Sequence, residues 1–129
     1  MYYLPTLDEF HTGFEYERLI SGDGATYWEA TKYTPGDNIE LLKTRVKYLD
    51  DTDIVELGFS YNDVINNKVS YTIQKPSVHT IDYYELLYEL KYDEPFVELV
   101  THSGYVVFSE VNIKNKSELK WLLSRYGVV

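Results

Sequence analysis

The chain contains no cysteine. That excludes disulfides, thiolate metal centres and cysteine nucleophiles, and it fits a reducing compartment. No run approaches the roughly 18 apolar residues that a membrane span requires. The opening Met1-Tyr2-Tyr3-Leu4-Pro5 has neither the basic nor the apolar region of a secretory signal, so a cytoplasmic location is expected. Basic residues are scarce: 12 Lys and Arg stand against 21 Asp and Glu, a formal net charge of −9. A surface of that sign repels nucleic acid and anionic membrane and selects basic partners. The H-E-x-x-H zinc motif, the G-x-S-x-G nucleophile elbow and the lysine of a phosphate-binding loop are all missing.

What the chain has in quantity is tyrosine, 14 of its 129 residues. Tyrosine supplies large, stiff, amphipathic contact area, so composition speaks of surfaces more than of catalysis. A hydrophobic share of 44% suffices for a core, and the length predicts a single domain over residues 1–129. The charge is uneven. Residues 112–129 carry Lys114, Lys116, Lys120 and Arg125 against Glu118, a net of +3, which leaves −12 on the other 111 residues.

Periodicity predicts an α+β fold: a mostly antiparallel sheet of hairpins, a C-terminal amphipathic helix and one or two short helices. Thr6-Leu7-Asp8-Glu9 has the form of a capping box and opens a short helix over residues 7–12, ahead of Gly13. Alternation from Phe14 to Ile20 and from Thr26 to Tyr33, about Gly22-Asp23-Gly24, predicts a hairpin. Residues 43–49 favour a strand. Asp50-Asp51-Thr52-Asp53 stacks capping side chains before Ile54-Val55-Glu56-Leu57, with Gly58 as a stop. Asn66-Asn67 tolerates positive φ and suits a tight turn between strands at 59–65 and 68–74, and residues 75–81 form a loop around Pro76.

Residues 83–92 are ambiguous, because Glu and Leu favour helix. The unbroken alternation of Tyr84, Leu86, Tyr88, Leu90 and Tyr92 against Tyr83, Glu85, Leu87, Glu89 and Lys91 favours a strand. Phe96–Val100 and Tyr105–Ile113 form a further hairpin across His102-Ser103-Gly104. At the end, Asn115 and Glu118 cap a helix whose Leu119, Leu122, Leu123 and Tyr126 make one apolar stripe, stopped at Gly127.

Three segments resemble other proteins. Pro5-Thr6-Leu7-Asp8-Glu9-Phe10-His11-Thr12-Gly13-Phe14-Glu15-Tyr16-Glu17 is similar to the start of a set of small uncharacterised proteins of bacterial and phage genomes. Ile113-Lys114-Asn115-Lys116-Ser117-Glu118-Leu119-Lys120, with Leu122-Leu123, is similar to their end. Arg45-Val46-Lys47-Tyr48-Leu49-Asp50, with Asp53-Ile54 and Leu57-Gly58-Phe59, completes a likeness over about a third of the chain. The resemblance implies a mobile-element origin and no particular activity. Small acidic phage proteins often inhibit host defence, an analogy of setting and charge.

Candidate chemistry is thin. His11, His79 and His102 lack ligand spacing, and His102-Ser103-Gly104 reads as a turn. Counted from Asp51, a calcium loop needs an oxygen ligand at Val55 and glycine at Glu56, so the acidic run reads as helix capping. Glu15 with Glu17, or Glu85 with Glu89, could place two carboxylates at glycosidase distances; alternating glutamates are also the ordinary mark of a solvated strand face. No catalytic residue, metal or cofactor is therefore assigned.

The expected partner-binding residues are Tyr83, Glu85, Glu89, Asp93 and Glu94, an acidic strand face with a tyrosine that competes with phosphates for Arg and Lys. The expectation is a non-enzymatic phage or mobile-element inhibitor of a host nucleic-acid-handling defence complex, a CRISPR effector first among them, acting by occluding a basic surface. Alternatives are a small-ligand domain that binds a nucleotide signal and a self-associating structural protein built on tyrosine-rich strand edges.

Overall fold

Both sheets grow from hairpins whose turns demand left-handed backbone. The computed structural model describes residues 1–75, 82–89, 95–111 and 113–129, in two units, Met1–Tyr48 and Leu49–Val129. The architecture is α+β, with two antiparallel sheets and a C-terminal helix.

The first unit holds β1 (Tyr2–Tyr3), β2 (Glu15–Gly22), β3 (Ala25–Lys32) and β4 (Thr44–Lys47), in the order β1-β4-β2-β3. Gly22 pairs with Ala25, so the β2–β3 turn is the two residues Asp23 and Gly24, at φ +48° and +77°. Positive φ at both central positions matches the twist of the flanking strands. The helix expected over residues 7–12 is only a 3-10 turn, Leu7–Glu9. Phe10 is already extended there, drawn into an aromatic core where its ring lies 5.0 Å from both Phe14 and Tyr16. Phe14, Tyr16 and Val46 form the buried centre, flanked by Tyr3, Phe10, Tyr33 and Ile39.

The second unit opens with α1 (Asp51–Glu56). Asp50 Oδ1 accepts the Asp53 amide at 3.0 Å and the Asp50 amide donates to Asp53 Oδ2 at 3.3 Å, which is the capping role expected of the acidic run. Then follow β5 (Ser60–Ile65), β6 (Lys68–Lys75), β7 (Asp82–Glu89), β8 (Phe96–Thr101) and β9 (Val106–Val111), each paired with the next. Asn66 and Asn67, at φ +50° and +66°, turn β5 into β6. Residues 82–89 form the middle strand, as their period-two alternation predicts. Leu90, Lys91 and Tyr92 lie outside the described residues, as does most of the loop expected at 75–81.

The chain ends in α2 (Lys116–Arg125). Asn115 Oδ1 accepts the Glu118 amide at 2.9 Å, and Glu118 Oε2 accepts the Lys114 amide at 2.7 Å, one residue earlier than a reciprocal box requires. Leu119, Leu122 and Leu123 share one buried cluster with Tyr71, Leu86 and Leu99, so the helix covers that sheet face. Each buried leucine contributes about 2 kcal/mol. Tyr126, expected in the same stripe, is instead the half-exposed C-cap, with its ring 5.5 Å from Phe108.

Candidate functional site

Strand register decides which side chains the second sheet turns away from its core. Leu86 and Tyr88 are buried, so their odd-numbered neighbours on β7 point to the opposite face. Pairing of Thr72 with Glu85 and Val100, and of Leu87 with Ser70 and Glu98, carries that face across β6 and β8. Three glutamates result. Glu85 and Glu89 flank Leu87 along β7, and Glu98 stands beside Leu87 on β8. Partly buried Phe96 and Val100 supply apolar surface between the carboxylates.

The residues expected from the sequence are thus partly assembled. Tyr83 is 42% exposed; its ring leans on His102 at 5.8 Å and its carbonyl accepts the His102 amide at 3.1 Å. Glu85 Oε2 accepts the Ser70 hydroxyl at 2.7 Å. Glu89 pairs with Phe96 on β8, and the Lys68 ammonium sits 4.4 Å from the Phe96 ring centroid. Asp93 and Glu94 lie outside the described residues. Glu98 was missed because β8 reads as an unremarkable apolar run; only its register against Leu87 brings it to this face. Among the described residues its side chain makes no ion pair or hydrogen bond.

Charge is uneven along this unit. Residues 49–111 hold twelve acidic residues against three basic ones, whereas residues 112–129 hold four basic against one acidic. α2, which covers the core face, carries Lys116, Lys120 and Arg125 against Glu118, while α1 on the same side carries Asp51, Asp53 and Glu56, the last paired with Lys116 at 2.6 Å.

Other candidate groups are committed to structure. Asp51 Oδ1 accepts the Tyr71 hydroxyl at 2.6 Å. Glu17 pairs with Arg45 at 3.1 Å and Glu15 with Lys32 at 3.8 Å. His11 Nδ1 bonds the Glu9 carbonyl at 2.9 Å, and His79 lies outside the described residues. Among the described residues no three His, Cys, Asp or Glu side chains converge as a metal site, and no helix is long and apolar enough to cross a membrane.

The first unit has a cleft of about 370 Å³ lined by Tyr16, Arg18, Asp37, Ile39, Glu40 and Lys43, among others. Burial, then the Asp37 carboxylate, push the Tyr16 phenol above its ordinary pKa. Both cations of the cleft are already engaged, Arg18 by Glu29 at 2.8 Å and Lys43 by Glu40 at 3.1 Å.

No protein-family model, curated protein or solved structure matches the chain. What the acidic face does has to be read from its own geometry and charge.

Proposed function

We propose that the chain is a non-enzymatic, cytoplasmic binding protein whose acidic sheet face occludes a basic protein surface. The observation that carries the reading is the placement of Glu85, Glu89 and Glu98 on one side of the second sheet, around Leu87, Phe96 and Val100. Carboxylates spaced along a rigid strand engage Arg and Lys groups that would otherwise hold phosphates, and the apolar strip between them supplies the desolvated centre that an interface needs. The exposed Tyr83 extends that surface toward the β8–β9 turn. The proposed targets are host nucleic-acid-handling defence complexes, with a CRISPR effector the first to test.

The test is a competition assay. Tagged protein captures its partner from bacterial lysate at low and high salt, and the purified partner is then assayed for nucleic-acid binding with and without the chain. Expected is loss of nucleic-acid binding at low salt, relieved by Glu85→Lys with Glu98→Lys in a chain that keeps its circular dichroism. Inhibition untouched by that pair would sink the acidic face as the site. A nucleotide that raises the melting temperature while no protein binds would move the reading to the Tyr16 cleft.

A further inference from the structure

The exposed side of α2 and the opposite face of the second sheet are complementary in charge. On α2, Lys120, Trp121 and Arg125 are exposed, and Trp121 keeps 57% of its surface open to solvent. Arg125 lies over the Trp121 ring at 5.4 Å. Neither Lys120 nor Arg125 has a carboxylate partner among the described residues. These side chains point away from the cluster that Leu119, Leu122 and Leu123 share with the sheet. On the opposite side of the sheet stand Glu85, Glu89 and Glu98 around Leu87 and Phe96. One side thus offers an aromatic group between two cations; the other offers apolar surface between carboxylates.

We infer that copies of this chain associate head to tail, with the α2 face of one seated on the acidic sheet face of the next. The occupant is a second copy because the complement of each face lies on the other side of the same unit. The overall charge of −9 opposes association at low salt. Screening limits that repulsion to about 8 Å at physiological ionic strength, while ion pairs in the contact, which also desolvate Trp121, act at shorter range. Two different faces meeting give a heterologous contact, which closes into a ring or runs on as a filament. A basic partner protein would use the same acidic face, so it would dissolve the assembly.

Purified full-length protein, with no partner present, separates this inference from the proposed function. Sedimentation velocity is run over roughly a hundredfold concentration range, and at about 0.05, 0.15 and 0.5 M salt. Mass is expected to rise with concentration, most strongly at the intermediate salt. Glu85→Lys with Glu98→Lys makes both faces cationic, and Lys120→Glu with Arg125→Glu makes both anionic. Each double variant alone is expected to lose association at least tenfold, and a mixture of the two to recover it, because each then presents the complement of the other. A monomer at every concentration overturns the inference. So does loss in only one double variant, or failure of the mixture to recover, which would mark a two-fold dimer through a single face. Circular dichroism of each variant confirms that the fold is retained.

Discussion

Ser70 has no exposed surface, yet it stands on the outward face of β6, and its hydroxyl donates to Glu85 Oε2 at 2.7 Å while accepting from Asn62 Nδ2 at 3.3 Å. The strands place Ser70 diagonally from Glu85, whose direct partner is Thr72. Asn62 reaches it because β5 bulges between Tyr61 and Asp63, which re-aims one side chain toward the neighbouring strand. A buried hydroxyl needs such partners, and the bond to an ionised acceptor is the stronger of the two. Ser70→Ala is expected to lower stability by about 1–2 kcal/mol in urea unfolding. Glu85→Gln, which keeps an acceptor oxygen, should lose less. No loss in Glu85→Gln would show that the carboxylate charge adds nothing to this bond.

Tyr71 gives the protein an alkaline limit. Its ring is buried and its hydroxyl donates to Asp51 at 2.6 Å. Burial first, and then this hydrogen bond, hold its pKa well above the ordinary tyrosine value. The unfolded chain releases the proton near pH 10, while the folded protein retains it. Stability from this group is therefore complete below about pH 10 and falls as pH rises beyond it. Tyr71→Phe should cost about 1–2 kcal/mol at neutral pH. The gap between wild type and variant should narrow as pH climbs from 9 to about 11, in paired denaturant titrations. A constant gap would mean that Tyr71 ionises alike in both states.

Local signals were the legible part of the sequence. Asp23-Gly24 and Asn66-Asn67 announce their turns because few residues accept positive φ. Asn115 with Glu118 and the leucine spacing define α2, and Asp50 with Asp53 define α1. Tyr84, Leu86 and Tyr88 reveal their inward face because side-chain period on a strand is two. What was not legible depends on pairing between strands distant in sequence. Glu98 joins Glu85 and Glu89 only through the β7–β8 register, and Arg45 finds Tyr2 and Trp28 only through β4 lying between β1 and β2. Phe10 left its expected helix because the aromatic cluster of the first unit outweighs the weak propensity of a short segment.

Gly58 ends α1 under two constraints. Its φ is +106°, and a Cβ there would come within 3.3 Å of Ile73 Cδ1. Gly104, in the β8–β9 turn of the same unit, has φ +92° with nothing near the missing Cβ. Gly104→Ala therefore isolates the conformational strain, expected at about 1–3 kcal/mol. Gly58→Ala adds the displacement of Ile73 and should be the more destabilising by thermal or urea melting. If the two lose equally, the Ile73 side chain yields freely and packing at that site is loose.

Arg45 is the fastening of the first unit's outer face. Its guanidinium sits 3.8 Å from the Tyr2 ring centroid and 4.2 Å from that of Trp28, while Nη2 bonds Glu17 Oε1 at 3.1 Å. One planar cation thereby ties β1, β2 and β3 from its place on β4. Lysine carries the same charge but no plane to lie between two rings. Arg45→Lys is expected to lower protection of the Tyr48 amide, which bonds the Met1 carbonyl at 3.0 Å; the loss corresponds to about 1–2 kcal/mol for a partly desolvated stack. In a Trp121→Phe background, Trp28 emission should shift to the red as its covered face meets water. Arg45→Lys that leaves both the Tyr48 amide and the Trp28 spectrum unchanged would show that charge alone holds this edge and that the stacking contributes nothing.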